Sequence, residues 1–317
     1  DIKGHELVKR IWQAHLAQDE VPNAYLLAGP EGVGKRGLAR EMAKAMNCSG
    51  EERPCDACTS CAQIMKRLHP DVHWLGPEGA SPMIKIDSVR QILGRIALRP
   101  FSGRYQVVIV ERAERLTEEA ANSLLKSLEE PPAHTRFLLT TSQPARCLPT
   151  IVSRCQLIRC QRLALEVVED LLVSSSACEA VAVPLIARLA GGSAGQALGL
   201  ARRWPVYQRL VEQFGGDDPL AWLAAPLPES REEVEQLLDG MVAWLRDVLV
   251  GSLGDPAWVA HRMAEGPLRR QGARVDPDRC LETVWVLHRL RESLDQFVSP
   301  RLVASLAREH WLSLWSA

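Results

Sequence analysis

The chain has 317 residues, 46% of them hydrophobic and 24% charged, the makeup of a globular protein of about two domains, which excludes disorder over the whole chain. Lys plus Arg number 38 against 39 Asp plus Glu, a net charge of −1, so any contact with nucleic acid has to come through a local patch or through partners. No run approaches about 18 uninterrupted apolar residues, and no membrane span is expected.

The opening DIKGHELVKRIWQAHL reads as an amphipathic helix without the apolar stretch of a signal peptide, which predicts a cytoplasmic protein. It begins with Asp1 rather than Met, so the natural start is expected a few residues upstream. Residues 24–28 predict a buried strand, followed by a glycine-rich turn and a helix over 37–46. Strands are predicted at 71–75 and 83–86, then a helix capped by Asp87 or Ser88 with Val89, Ile92, Leu93 and Ile96 at helical spacing. Residues 106–110, continuous and β-branched, predict a strand buried on both faces. A helix over 118–130 stops at Pro131-Pro132, and strands at 137–141 and 156–160 complete an alternating pattern that predicts a parallel α/β sheet flanked by helices.

From residue 161 strand patterns vanish, and apolar residues recur every three or four, as in Leu237, Leu238, Met241, Val242, Leu245 and Val248. With joints at Gly191-Gly192-Ser193 and Trp204-Pro205, the expected division is an α/β domain over 1–160, a small helical domain over 161–203 and an all-helical domain over 204–317. Of the tryptophans in this last domain, Trp222, Trp244, Trp258 and Trp285 are assigned to the core. Trp311 and Trp315, four apart, suit either the core or a partner surface.

Nine cysteines without a secretion signal argue against a disulfide framework. Cys147, Cys155, Cys160, Cys178 and Cys280 are scattered and read as ordinary thiols, but Cys48, Cys55, Cys58 and Cys61 fall within 14 residues. Four thiolates at this spacing satisfy tetrahedral Zn²⁺ and leave no open position, so the predicted zinc is structural. His69 and His73 are then surplus and are assigned to the surface. The segment offers only Arg53, Lys66 and Arg67 as nearby cations, too few for a zinc finger that reads nucleic acid.

Gly29-Pro-Glu-Gly32-Val-Gly34-Lys35-Arg36 lies between a predicted strand and helix, where a phosphate loop belongs. The glycines let backbone N–H groups converge on phosphate oxygens, and Lys35 suits the outer phosphates. The following residue should be Ser or Thr, whose hydroxyl ligates Mg²⁺; Arg36 has no lone pair to offer. After the strand at 106–110, a working ATPase would place Asp to hold the metal and Glu to activate water. Here stand Glu111 and Arg112, and an arginine does not act as a base. Taken by themselves, these two read as a solvated ion pair after a core strand. Arg154 of Ser153-Arg154-Cys155, taken alone, reads as a solvated or salt-bridged side chain.

Taken in order, the altered phosphate loop, the cysteine cluster, Asn122-Ser-Leu-Leu-Lys126-Ser-Leu-Glu-Glu130-Pro-Pro132 and Ser153-Arg154-Cys155 make the chain resemble the clamp-loader family of bacterial DNA polymerase III, over essentially its whole length. The resemblance implies an AAA+ α/β P-loop domain over 1–160 carrying the zinc module at 48–61, a helical lid over 161–203 and a helical collar over 204–317 that joins subunits into a pentameric hetero-oligomer. It implies gamma/tau and delta clamp-loader subunits as partners and, through the complex, the sliding clamp and primed DNA. The motor members gamma and tau keep Ser or Thr after the lysine, an Asp-Glu pair at the second motif, and an arginine in the lid that senses the γ-phosphate. Arg36, Glu111-Arg112 and Gly195 depart at all three places, which points to a member that does not hydrolyse ATP rather than to an active gamma/tau-like motor. Gly29, Gly32, Gly34 and Lys35 then form a vestigial phosphate loop at which nucleotide binding stays open. Arg154, with Ser153 and Cys155, becomes an arginine finger for a neighbouring motor subunit.

Overall fold

The computed structural model describes residues 3–18, 20–77, 83–216, 218–254, 258–261, 264–294 and 298–316. They divide into two units, Asp1–Leu171 with Gly191–Gln196, and Leu172–Ala190 with Ala197–Ala317.

The first unit contains, in chain order, α1 (Glu6–Ala17), β1 (Ala24–Ala28), α2 (Lys35–Asn47), α3 (Thr59–Met65), β2 (Val72–Leu75), α4 (Ile86–Ile96), β3 (Gln106–Val110), α5 (Glu118–Glu129), β4 (Thr135–Thr141), α6 (Pro149–Val152) and β5 (Gln156–Arg159). All five strands are parallel, in the order β2-β3-β4-β1-β5, with Ala24 opposite Phe137 and Tyr25 opposite Gln156 on either side of β1. The pleat sends successive side chains to opposite faces. Tyr25, Leu27, Val107, Ile109, Leu138 and Ile158 join the core beneath α1 and α2, with Val8, Trp12, Leu38 and Met42. Ala24, Leu26, Val108, Val110, Phe137 and Leu139 join the core beneath α4 and α5, with Val89, Ile92, Leu124 and Leu128. Burial on both faces is why β1 and β3 are unbroken apolar runs rather than alternating ones.

Two expectations need correction here. The segment 83–86 makes a single bridge, Ile84 to Leu116, because α4 starts at Ile86 and leaves no length for a strand. Lys85, not Asp87 or Ser88, precedes the first turn of that helix, and Asp87 lies inside it, where its charge suits the positive helix end.

The loop between α4 and β3 is pinned by Asp71. Its buried carboxylate accepts the backbone N–H groups of Phe101, Ser102 and Gly103 at 2.6, 2.7 and 2.7 Å, and Gln106 Nε2 at 3.1 Å. Burial pushes this carboxyl up, but the three N–H groups outweigh it, and its pKa lies below the ordinary 3.8. The resulting stabilisation is complete above about 3.8 and is lost as pH falls through the lower folded-state value. Asp71→Asn turns an acceptor into a donor facing N–H groups. It is expected to cost roughly 1.5–3 kcal/mol in urea unfolding at neutral pH. The deficit relative to wild type should shrink under acid; an equal deficit at all pH values would refute this account.

Strands are absent after Arg159 among the described residues. α7 (Leu165–Ser175) and α9 (Ala194–Arg202) span the boundaries between the units, with α8 (Val183–Leu189) between them in sequence. The second unit continues with α10 (Trp204–Phe214), α11 (Arg231–Leu253), α12 (Glu265–Gly272), α13 (Pro277–Ser293) and α14 (Pro300–Trp315). Ser230 and Glu233 form a reciprocal capping box at the start of α11, and Asp276 caps α13. Phe214, Trp222, Trp244, Leu245, Leu287 and Trp311 build the core. Trp244 and Trp311 satisfy their indole N–H groups on Gln271 Oε1 at 2.7 Å and Pro219 O at 2.8 Å.

The tryptophan assignment is half overturned. Trp222 and Trp244 are core as expected, and Trp311 and Trp315 are buried too, at 0% and 9% exposure, whereas Trp258 and Trp285 are 71% and 63% exposed. α13 turns Cys280, Thr283 and Leu287 inward, and Trp285, two residues from Thr283 and Leu287, faces the opposite side at 100° per residue. No described helix is long and apolar enough to cross a membrane.

Candidate functional site: a self-filled phosphate loop, a cysteine cage and an exposed arginine

Three sets of residues carry chemistry in the first unit. The phosphate loop runs from β1 into α2, with Gly32 and Gly34 at φ 75° and 105°, a backbone region that side-chain-bearing residues rarely adopt. Lys35 starts the helix, but its ammonium turns back on its own loop and donates to Gly29 O and Pro30 O, both at 2.6 Å. Burial pushes its pKa below the ordinary value.

Arg36 Nε lies 2.9 Å from Glu111 Oε1, and Arg67 donates to the same oxygen at 2.6 Å. The position that ought to supply a metal-ligating hydroxyl and the position that ought to supply a metal-ligating carboxylate are thus bonded to each other. The expected pair between Glu111 and Arg112 is not formed. Arg112 has a left-handed backbone, φ 56°, its N–H donates to Thr140 Oγ1 at 3.2 Å, and its guanidinium pairs with Glu31.

Gly191–Gln196 closes over the loop from above: Ser193 Oγ donates to Glu31 O at 3.1 Å and Gly195 N donates to Gly32 O at 2.8 Å. A Cβ on Gly195 would sit 3.0 Å from Gly32 Cα, and one on Gly32 would strike Ser193 Oγ. Where the family resemblance looks for an arginine, a side chain has no room without movement of the loop. Glu114, which the sequence reading passed over, lies nearby. Its Oε1 accepts Ser142 Oγ at 2.8 Å, while Oε2 is buried without a hydrogen bond.

The four clustered cysteines converge. Cys48 ends α2 and Cys58 caps α3, its sulfur accepting Cys61 N–H at 3.4 Å. All four Sγ atoms lie within 4.8 Å of one another. Zn–S bonds of about 2.3 Å set tetrahedral sulfurs roughly 3.8 Å apart, so the cage fits a structural metal of that kind. Further N–H groups point at the sulfurs, from Gly50 and Cys55 to Cys48, both at 3.3 Å, and from Cys58 to Cys55 at 3.4 Å. Burial opposes ionisation of Cys58, but the N–H groups of Cys61 and Ser49 prevail and bring its thiol down to about 5; burial pushes Cys61 up. His69 and His73 are not surface residues. His69 is buried against Ser60 Oγ at 3.0 Å and the Asp71 N–H at 3.1 Å, and His73 Nε2 is 2.7 Å from Gln106 Oε1.

Arg154 follows α6. Its Nε donates to Glu129 Oε1 at 2.6 Å and its Nη2 meets the same oxygen, while Nη1 donates to Thr150 O at 3.0 Å and approaches Ser153 Oγ at 3.4 Å. The side chain is a third exposed. Burial pushes the Cys155 thiol up to about 12, which disfavours the thiolate. Glu31 belongs to the phosphate loop and Glu129 to the stretch 122–132, but their arginine partners are not evident from those motifs, and Arg67 lies outside any motif and reaches the site only through the fold.

A parallel sheet in this order, helices on both faces, a glycine loop between β1 and α2, and a helical continuation define a P-loop protein of the AAA+ class. Residues 4–164 match the family described as DNA polymerase III, delta subunit. The DNA polymerase III subunit delta′ of Pseudomonas aeruginosa is 36% identical over 235 residues, covering 69% of this chain and 71% of that one. The chain belongs to the delta-prime family of DNA polymerase III clamp-loader subunits. The tau subunit of Escherichia coli is 33% identical over 207 residues, which cover 63% of this chain and 32% of that one. A solved gamma-subunit-related protein of Thermotoga maritima aligns over 89% of this chain and 99% of its own, with 19% identity and a TM-score of 0.42.

Proposed function

We propose that this chain is a non-hydrolysing stator of a cytoplasmic, hetero-oligomeric clamp loader. In this reading, the AAA+ domain of residues 1–160 and the lid of 161–203 face neighbouring subunits, the collar of 204–317 joins the ring, and gamma/tau and delta subunits are the partners. The assembled loader places the sliding clamp on primed DNA. Cys48, Cys55, Cys58 and Cys61 hold a structural Zn²⁺, which ties the ends of α2 and α3 together.

The observation that carries the reading is the Arg36–Glu111 ion pair. A guanidinium pairs the two positions at which a motor subunit binds Mg²⁺, and Arg112, which cannot act as a base, stands where a motor subunit places the glutamate that primes water. Lys35, bound to its own loop carbonyls, has to break two charge-assisted hydrogen bonds before it can meet a phosphate. Arg154 acts elsewhere, as the arginine finger of a neighbouring motor subunit's ATP site, with Ser153 and Cys155 forming the turn that presents it. Its planar fork stabilises the charge spread over the transferring γ-phosphoryl oxygens. In the separate chain Glu129 occupies that fork. Phosphate oxygens, which carry more charge, compete for it on assembly.

The isolated chain is expected to show no steady-state ATP turnover, and Lys35→Ala to leave that baseline unchanged. Adding the chain to gamma/tau and delta subunits should raise DNA-stimulated ATPase of the mixture. Turnover by the isolated chain that Lys35→Ala abolishes would overturn the stator role.

A further inference from the structure

The cysteine module is linked towards the altered nucleotide site along two lines, one through α2 and one through the residue that follows α3. On one side, Asp56, between Cys55 and Cys58, pairs with Lys44 of α2, the helix that begins at the phosphate loop. Lys44 is fully buried and also binds Glu41 at 2.8 Å. A buried ammonium needs its carboxylates, so α2 and the module are held to each other by a bond that neither can release cheaply.

On the other side stands Arg67. Its φ of 60° is uncommon for a residue with a side chain, and its N–H donates to Ile64 O at 3.1 Å, so the end of α3 sets its direction. The guanidinium lies 4.1 Å from the centre of the Trp74 ring and bonds Glu111 at 2.6 Å, across 44 residues of sequence. The start of α3 is itself fixed by cage residues, with Cys58 as its cap and Cys61 in its first turn.

We infer that the cysteine module is a brace for the neighbouring site: the metal-bound cage fixes α3, α3 aims Arg67, and Arg67 together with Arg36 keeps Glu111 filled by protein cations. The module thereby keeps the phosphate loop and the end of β3 in one arrangement, a rigid surface for a subunit against which others move. This deepens the stator reading and rests on it. Arg67 is a positioning residue, since it acts through Glu111 and the loop after β3.

Hydrogen–deuterium exchange on the full chain tests this, comparing the metal-loaded protein, the same protein stripped by a chelator under reducing conditions, and metal-loaded Arg67→Ala and Arg67→Lys. Stripping the metal is expected to speed exchange at 107–115 and 35–47 as well as in the module. Arg67→Ala is expected to speed exchange at 107–115 by up to about fivefold, as loss of a partly exposed ion pair implies, with metal content unchanged. Arg67→Lys should restore part of the protection. Exchange at 107–115 that ignores both metal removal and Arg67→Ala overturns the brace, as does a chain purified without metal that is equally protected there. ATP turnover measured on the same samples reports on the stator role separately, so either idea can fail alone.

Discussion

Replacing Arg154 with alanine is expected to slow ATP hydrolysis at the site this chain completes by about 10³-fold or more, because an arginine finger contributes about 10³–10⁵ to such steps. The fold should barely notice. Arg154 and Glu129 are both partly exposed, and an ion pair of that kind contributes about 0–1 kcal/mol. The contrast makes the test clean: single-turnover hydrolysis by the reconstituted loader, alongside gel filtration and thermal unfolding of the variant. Arg154→Lys should rescue little, since an ammonium lacks the planar fork that spans two phosphoryl oxygens. Glu129→Gln should not impair hydrolysis, because it removes the competitor that holds the guanidinium in the free chain. Undiminished hydrolysis in Arg154→Ala would remove the finger role while leaving the family assignment untouched.

Cys58→Ser is expected to abolish stable metal binding and to lower the unfolding temperature markedly. Structural zinc contributes about 10–16 kcal/mol of binding free energy in small zinc modules, and a cage with three thiolates keeps only part of it. Elemental analysis should find about one zinc per wild-type chain. Ligation consumes thiolates, so metal affinity must fall as pH is lowered. Burial pushes the Cys61 thiol up, so its proton is displaced into solvent as the metal binds, whereas backbone N–H groups already bring the Cys58 thiol down to about 5. A metal-free wild-type protein that melts at the same temperature with and without chelator would eliminate the cage as a metal site.

Features that depend on local pattern were legible from the chain alone. β1 and β3 are apolar on both faces, so they stand out as unbroken runs, and the glycine turn after β1 could lead only into α2. The four cysteines lie close enough in sequence that spacing alone brings their sulfurs together. What escaped was decided by tertiary structure. Nothing local distinguishes Arg67 from any solvated arginine, because its partner Glu111 lies 44 residues on and its stacking surface Trp74 belongs to another element. Glu111 and Arg112, adjacent in sequence, part company because a left-handed turn points them to different neighbours. Trp258 and Trp285 were misplaced for a related reason: hydrophobicity marks tryptophan as interior, but helix phase and the path of the chain decide which faces turn inward. His69 and His73 erred in the opposite direction, as polar side chains drawn inside by Ser60 and Gln106.

The backbone contact of Gly195 with Gly32 also constrains how such a chain can change over generations. A hydroxyl at residue 36 would still leave Glu111 bound to Arg67, and a side chain at 195 would bring its Cβ to 3.0 Å from Gly32 Cα, so that the phosphate loop would have to give way by a few tenths of an ångström. A change at 36 alone or at 195 alone therefore meets neighbours that folding has already placed against it, so the two positions are tied to Arg67 and Gly32 rather than free to vary one at a time.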